Sequence, residues 1–181
     1  MSSQRIGKYA CLEIERRYLL RELPTDLIGR DHSWYIVDRY ISNTRLRLRR
    51  MISPSRNKSI LKLGQKYRDL SQDHTQATMT TMYLNDDEYR CLEKLEAKEI
   101  AKKHFEYEYQ ERVYGIDVFE GSLQGLILAE TECETEEELA QLSLPSFAFK
   151  DVTDDPFFSG GFLASINEKK FREGLVKRLS N

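Results

Sequence analysis

Residues 11–20 read Cys11-Leu12-Glu13-Ile14-Glu15-Arg16-Arg17-Tyr18-Leu19-Leu20. A period of two sets Leu12, Ile14, Tyr18 and Leu20 on one side and Glu13, Glu15 and Arg17 on the other, the pattern of a strand. Strict charge alternation recurs twice more. Arg45, Arg47 and Arg49 share a face opposite Leu46 and Leu48, and Glu130, Glu132 and Glu134 share one opposite Ile127, Ala129 and Cys133. A solvated antiparallel face usually mixes Lys and Glu. Here one strand is purely arginine and another purely glutamate. Like charges repeated along a strand repel, so something of opposite charge should lie between them.

Outward from these stretches, alternation dominates. Residues 33–50 read as two strands around Ser42-Asn43. Residues 59–67 set Lys62 and Lys66 against Leu61, Leu63 and Tyr67 after a polar turn at 53–57. Residues 78–84 are β-branched and aromatic enough for a further strand. A helix then follows, capped by Asn85 or Asp86, with Tyr89, Leu92 and Leu95 as its apolar stripe. Residues 101–113 alternate again, with Phe105, Tyr107, Tyr109 and Val113 on one face. Strands at 116–119 and 126–134 are joined by a turn at Gly121–Gly125, and Thr135 caps a short helix. Residues 165–179 read as a C-terminal amphipathic helix. About eight strands with a few helices predict a β-dominated α+β fold, a closed or nearly closed antiparallel sheet, in a single domain over residues 1–181.

Composition narrows the function. The 181 residues carry 28 Lys+Arg against 30 Asp+Glu, a net charge of −2 at pH 7, which lacks the basic excess of a nucleic-acid binder. No apolar run approaches the roughly 18 residues of a membrane helix. Cys11, Cys91 and Cys133 form no CxxC pair, no cleavable apolar leader is visible, and His32, His74 and His104 are scattered. A reduced, cytoplasmic setting without zinc is the expectation. The sequence is silent on oligomeric state.

The charged rows suggest a ligand class. Paired carboxylates are hard oxygen donors suited to Mg²⁺ or Mn²⁺. Rows of guanidiniums suit phosphate oxygens, which they bind bidentately. Metal plus phosphate is the ligand class that needs both sets on one inner surface.

In these residues the chain resembles the CYTH domain, the triphosphate tunnel metalloenzymes, which include inorganic triphosphatases, thiamine triphosphatases and class IV adenylyl cyclases. Residues 12–19 resemble the ExExK signature, and the likeness continues through 44–50, 61–66, 83–89, 117–121, 125–132 and 151–155. The resemblance implies an eight-stranded antiparallel β-barrel around a charged tunnel. It implies that Glu13, Glu15, Glu130 and Glu132 bind metal, and that Arg45, Arg47, Arg49, Lys62 and Lys102 bind the triphosphate. Asp117 matches the aspartate of a DxF element and joins the substrate-binding set. Glu13, Glu15 and Arg17 form the catalytic set, with Arg17 at the position of the signature lysine. Lys66 and Lys103 read as solvated lysines. The sequence departs from the family pattern at Arg17, at His104 where an arginine is usual, at Phe157-Phe158 and Gly160, and at the threonines of 78–84.

The implied activity is metal-dependent hydrolysis of inorganic triphosphate or a related nucleoside or organic triphosphate. The alternatives are a cyclase making cyclic AMP from ATP, and a non-catalytic polyphosphate or nucleotide binder. No P-loop or glycine-rich cradle is present, so side chains must hold the phosphates.

Overall fold

The computed structural model describes residues 10–30, 32–67 and 76–180. Its strands are β1 (Ala10–Leu20), β2 (Trp34–Ile41), β3 (Leu46–Ser53), β4 (Lys58–Tyr67), β5 (Gln76–Tyr83), β6 (Ala97–Tyr109), β7 (Arg112–Phe119), β8 (Ile127–Cys133) and β9 (Lys150–Asp151). The first eight run in the order β5-β4-β3-β2-β6-β7-β8-β1, and β1 pairs with β5 to close the ring. Every pairing is antiparallel. The fold is a closed eight-stranded antiparallel barrel. β5 pairs with β1 only along residues 10–14, and β9 takes the edge left beside Tyr18 and Leu19. That covers backbone groups a bare edge would expose.

The turns follow local chemistry. Asn43 and Asn57 take positive φ (59° and 46°) at the ends of β2 and β3, where asparagine tolerates the left-handed region. Gln110 and Glu111 do the same (48° and 62°) in a two-residue loop between β6 and β7. This loop corrects the reading of 101–113 as one alternating stretch. Tyr109 pairs with Arg112, so the phase inverts across the turn, and Tyr114, not Val113, joins Phe105 in the buried outer cluster. Without Gly or Asn at the loop, the pattern hid the break.

Helix α1 (Asp86–Leu92) begins with a capping box: Asn85 Oδ1 accepts from Glu88 N–H, and the Glu88 carboxylate accepts from Asn85 N–H. Tyr89 packs with Ile41, Leu48 and Leu63 on the outer wall. Helix α2 (Glu136–Gln141) is capped by Thr135. Phe147 meets the rings of Tyr107, Tyr109 and Tyr114 edge-on at 5.1–5.3 Å, sealing another part of that wall.

The helix expected over 165–179 is α4 (Glu168–Ser180), and a short helix the sequence did not suggest, α3 (Gly160–Ser165), precedes it. Ile166 is extended, and the Asn167 side chain accepts from Lys170 N–H at 2.9 Å, restarting the helix. Phe157, Phe158, Leu163 and Phe171 pack with the inward-facing Leu19, Ile100, Phe119 and Leu128 as a plug across one end of the barrel. Arg178 of α4 fastens it, donating to both Asp155 oxygens (2.5 and 3.0 Å) with its guanidinium 3.9 Å above the Phe157 ring. Gly160 sits against Tyr40, and a Cβ there would lie 1.9 Å from the Tyr40 hydroxyl. Gly160→Ala should therefore lift the plug and cost about 1–3 kcal/mol of stability, read from chemical denaturation. An unchanged midpoint would show that Tyr40 gives way freely.

Candidate active site

Cross-strand register carries each inward row around the barrel. On the β1–β8 wall Glu15 faces Glu132, Arg17 faces Glu130 and Leu19 faces Leu128. Four strands from β8 and three from β1 around the ring of eight, and so across the barrel, Arg45 just before β3 and Arg47 and Arg49 on it turn inward. Between these walls lies a cavity of about 510 Å³. Six carboxylates and six Lys/Arg side chains line it, above an apolar floor that includes Ile100, Phe119, Leu128, Phe158 and Leu163.

Arg17 is buried and tied on three sides. Its Nε donates to Glu130 at 2.6 Å, Nη2 to Glu15 at 3.2 Å, and Nη1 to the Phe158 carbonyl of the plug at 3.2 Å. Burial opposes its charge, but Glu130 and Glu15 outweigh burial and raise its pKa further. Burial alone would likewise raise the Glu130 carboxyl, yet Arg17, Lys102 and Lys66 hold it well below the usual carboxylate range. Glu132 is the exception: burial, then Glu13 and Glu15, push its carboxyl up. It has no ion-pair partner among the described residues.

The sequence misplaces one charged cavity residue, Lys66, and leaves another, Asp38, unmarked. Lys66 is not a solvated lysine, for its Nζ lies 2.5 Å from Glu13 and 2.9 Å from Glu15. It sits four residues after Lys62, on the same strand face, which was the available signal. Asp38, only 2% exposed, accepts from Arg49 Nε and Nη2 at 2.6 and 2.7 Å and lies 3.7 Å from Arg47. An aspartate between Ile36 and Tyr40 on an apolar row was its signal. Lys103, by contrast, is exposed beside Glu120, as read.

The remaining expected residues are placed as follows. Glu13, Glu15, Arg17, Arg45, Arg47, Arg49, Lys102, Asp117, Glu130 and Glu132 all line the cavity. Lys62 does not; it pairs in register with Arg49 and holds its ammonium 5.3 Å from the Tyr83 ring centroid. Burial, Arg49 and Arg47 lower its pKa. Asp117 is buried and uses both oxygens within the protein, one for Lys102 and one for His104 Nδ1 at 2.8 Å. Its immediate contacts are thus two cavity bases.

No family model matches the sequence, and no curated protein does either. Solved structures do match. The hypothetical protein NE1496 superposes with a TM-score of 0.58 at 20% identity, covering 86% of this chain and 99% of that one. The inorganic triphosphatase NE1496 gives a TM-score of 0.57 at 21% identity, over 86% of this chain and 96% of that one. The chain shares the closed eight-stranded antiparallel barrel fold of these structures. In that barrel the acidic and basic rows are the two walls and the Phe157–Leu163 plug closes one end. Among the described residues no helix is long and apolar enough to cross a membrane.

Proposed function

We propose that the chain belongs to the triphosphate tunnel metalloenzymes and hydrolyses inorganic triphosphate or a related triphosphate chain with Mg²⁺ or Mn²⁺. The observation that carries this reading is the bipolar cavity: glutamates on β1 and β8 face arginines on β3 across a space closed by an apolar floor. Phosphoryl transfer asks mainly for positioning and charge stabilisation, which such walls can supply without a protein nucleophile.

The glutamates fit a hard divalent cation. Among the described residues no three acidic or imidazole side chains are already gathered as a metal group. Yet burial, and then its neighbours Glu13 and Glu15, raise Glu132 against the opposing charge of Lys66, so a cation at this corner would relieve the like charges gathered there. Mg²⁺ or Mn²⁺ held by Glu13, Glu15, Glu130 and Glu132 would supply the Lewis-acid charge that polarises the terminal phosphoryl group. Arg45, Arg47, Arg49 and Lys102 bind the phosphate oxygens, with Lys62 behind Arg49. Asp38 holds Arg49 in a fixed plane, and Arg17 couples the acidic wall to the plug.

A panel of metals and substrates measuring phosphate and pyrophosphate release tests the reading. Metal-dependent phosphate release from inorganic triphosphate supports it. Pyrophosphate and cyclic AMP from ATP would make the chain a cyclase, and binding without turnover a polyphosphate module. Within this reading Arg47→Ala should weaken triphosphate binding by about 2–5 kcal/mol, because a desolvated phosphate contact is lost. Arg50→Ala, at an exposed position on the opposite face, should cost under about 1 kcal/mol. Calorimetric titration with inorganic triphosphate compares them, and equal losses would remove the β3 row from the binding wall.

A further inference from the structure

The walls of the cavity supply charge, but nearly every base on them is fixed in its protonated form. Arg17 cannot exchange a proton at working pH. Lys66 is opposed by burial but held protonated by Glu15 and Glu13. Lys102 is ion-paired to Asp117, and Lys62 lies outside the cavity lining.

His104 differs. It lies on the inward row of β6 and lines the cavity, and its Nδ1 is 2.8 Å from Asp117 Oδ1. Asp117 is 4% exposed, and Lys102 and His104 overcome burial to hold its carboxyl below the usual range. An ionised carboxylate at Nδ1 selects the tautomer with the proton there and leaves Nε2 as the lone-pair nitrogen. That nitrogen has no hydrogen-bond partner among the described residues. The ring has its place because residue 115 on β7 is glycine: a Cβ there would stand 2.7 Å from His104 Cε1. The other groups around it are Trp34 in register on β2, and Arg17 and Glu130, which act on Asp117 from β1 and β8.

We propose that His104, oriented by Asp117, is the proton-transfer residue of this cavity, a role that Arg17 cannot fill. The inference rests on the hydrolase reading above. In the step, water oxygen bonds to the terminal phosphorus as the bridging P–O bond breaks. The water's proton passes to His104 Nε2, and pyrophosphate leaves with the bond's electron pair. The imidazolium then returns its proton to solvent. Asp117 is a positioning residue that stabilises the imidazolium.

The test is the pH dependence of Mg²⁺-supported triphosphate hydrolysis in the full chain and in His104→Asn and His104→Arg. Asparagine keeps a donor near Asp117 but has no Nε2, and arginine keeps a cation for phosphate. Thermal melts check that both variants fold. In the natural chain kcat should fall on the acid side through a single ionisation. Both variants should lose that ionisation, with kcat down by about 10²–10⁴-fold. KM in His104→Arg should stay within a few-fold. An unchanged kcat and profile in His104→Asn, or a loss confined to KM, overturns the proposal and leaves the hydrolase standing. Absence of any triphosphate turnover in the natural chain overturns both.

Discussion

Asp38→Ala is expected to lower the unfolding free energy by about 3–5 kcal/mol at pH 7, the usual cost of breaking a buried ion pair from one side. The carboxylate is 2% exposed and neutralises Arg49 through two short hydrogen bonds, with Arg47 close by. Alanine leaves two cations in a confined row with Lys62 beside them. The pH dependence has a definite sign. Burial would raise the Asp38 carboxyl, but Arg49 and Arg47 hold it well below the usual carboxylate range. Its contribution is therefore complete above the unfolded value of about 3.9 and is lost as pH falls through the folded one. The gap between natural and variant proteins in urea titrations should narrow below about pH 4. Inorganic triphosphate should raise the variant's melting temperature more than the natural protein's, since it returns negative charge to Arg47 and Arg49. Equal stabilities at pH 7 would show that these arginines do not depend on Asp38.

Much of this arrangement was legible because strands expose their faces in sequence. The Glu13/Glu15/Arg17, Arg45/Arg47/Arg49 and Glu130/Glu132 rows each declare a face by alternation alone, and all of them line the cavity. What alternation cannot give is which rows meet. Lys66 finds Glu13 and Glu15 only because β4 and β1 flank β5 in the closed ring, a relation absent from local pattern. Asp38 stands out on the Ile36/Tyr40 row, but its partners Arg47 and Arg49 lie on another strand, so its role was not legible locally. Phe157, Phe158 and Gly160 read only as departures from a family pattern. In the fold they seat the plug, and its Phe158 carbonyl accepts the third hydrogen bond of Arg17. A lysine at position 17, with a single nitrogen, could not reproduce that set of three directed contacts.

Glu13→Gln is expected to cut metal-dependent turnover on the order of 10²–10³-fold, the scale of removing a group that stabilises charge at the reacting centre. Amide for carboxylate keeps the shape while withdrawing the charge that a hard cation requires. Glu13 is a cleaner probe than Glu130. The Glu130 carboxylate is also the 2.6 Å partner of buried Arg17, so Glu130→Gln disturbs the acidic wall and the plug together. Glu13 pairs with Lys66, and Lys66 keeps Glu15 when Glu13 is neutralised. Stability should thus change by no more than about 1 kcal/mol, as for a pair that is partly open to solvent. Removing the Glu13 charge also relieves Glu132, whose carboxyl should fall back toward its ordinary value. The affinity for Mn²⁺ alone, measured by calorimetry, should drop in parallel with phosphate release. Unchanged Mn²⁺ binding with lost turnover would move Glu13 from the metal to the substrate, and full activity at saturating Mn²⁺ would remove it from the site's chemistry.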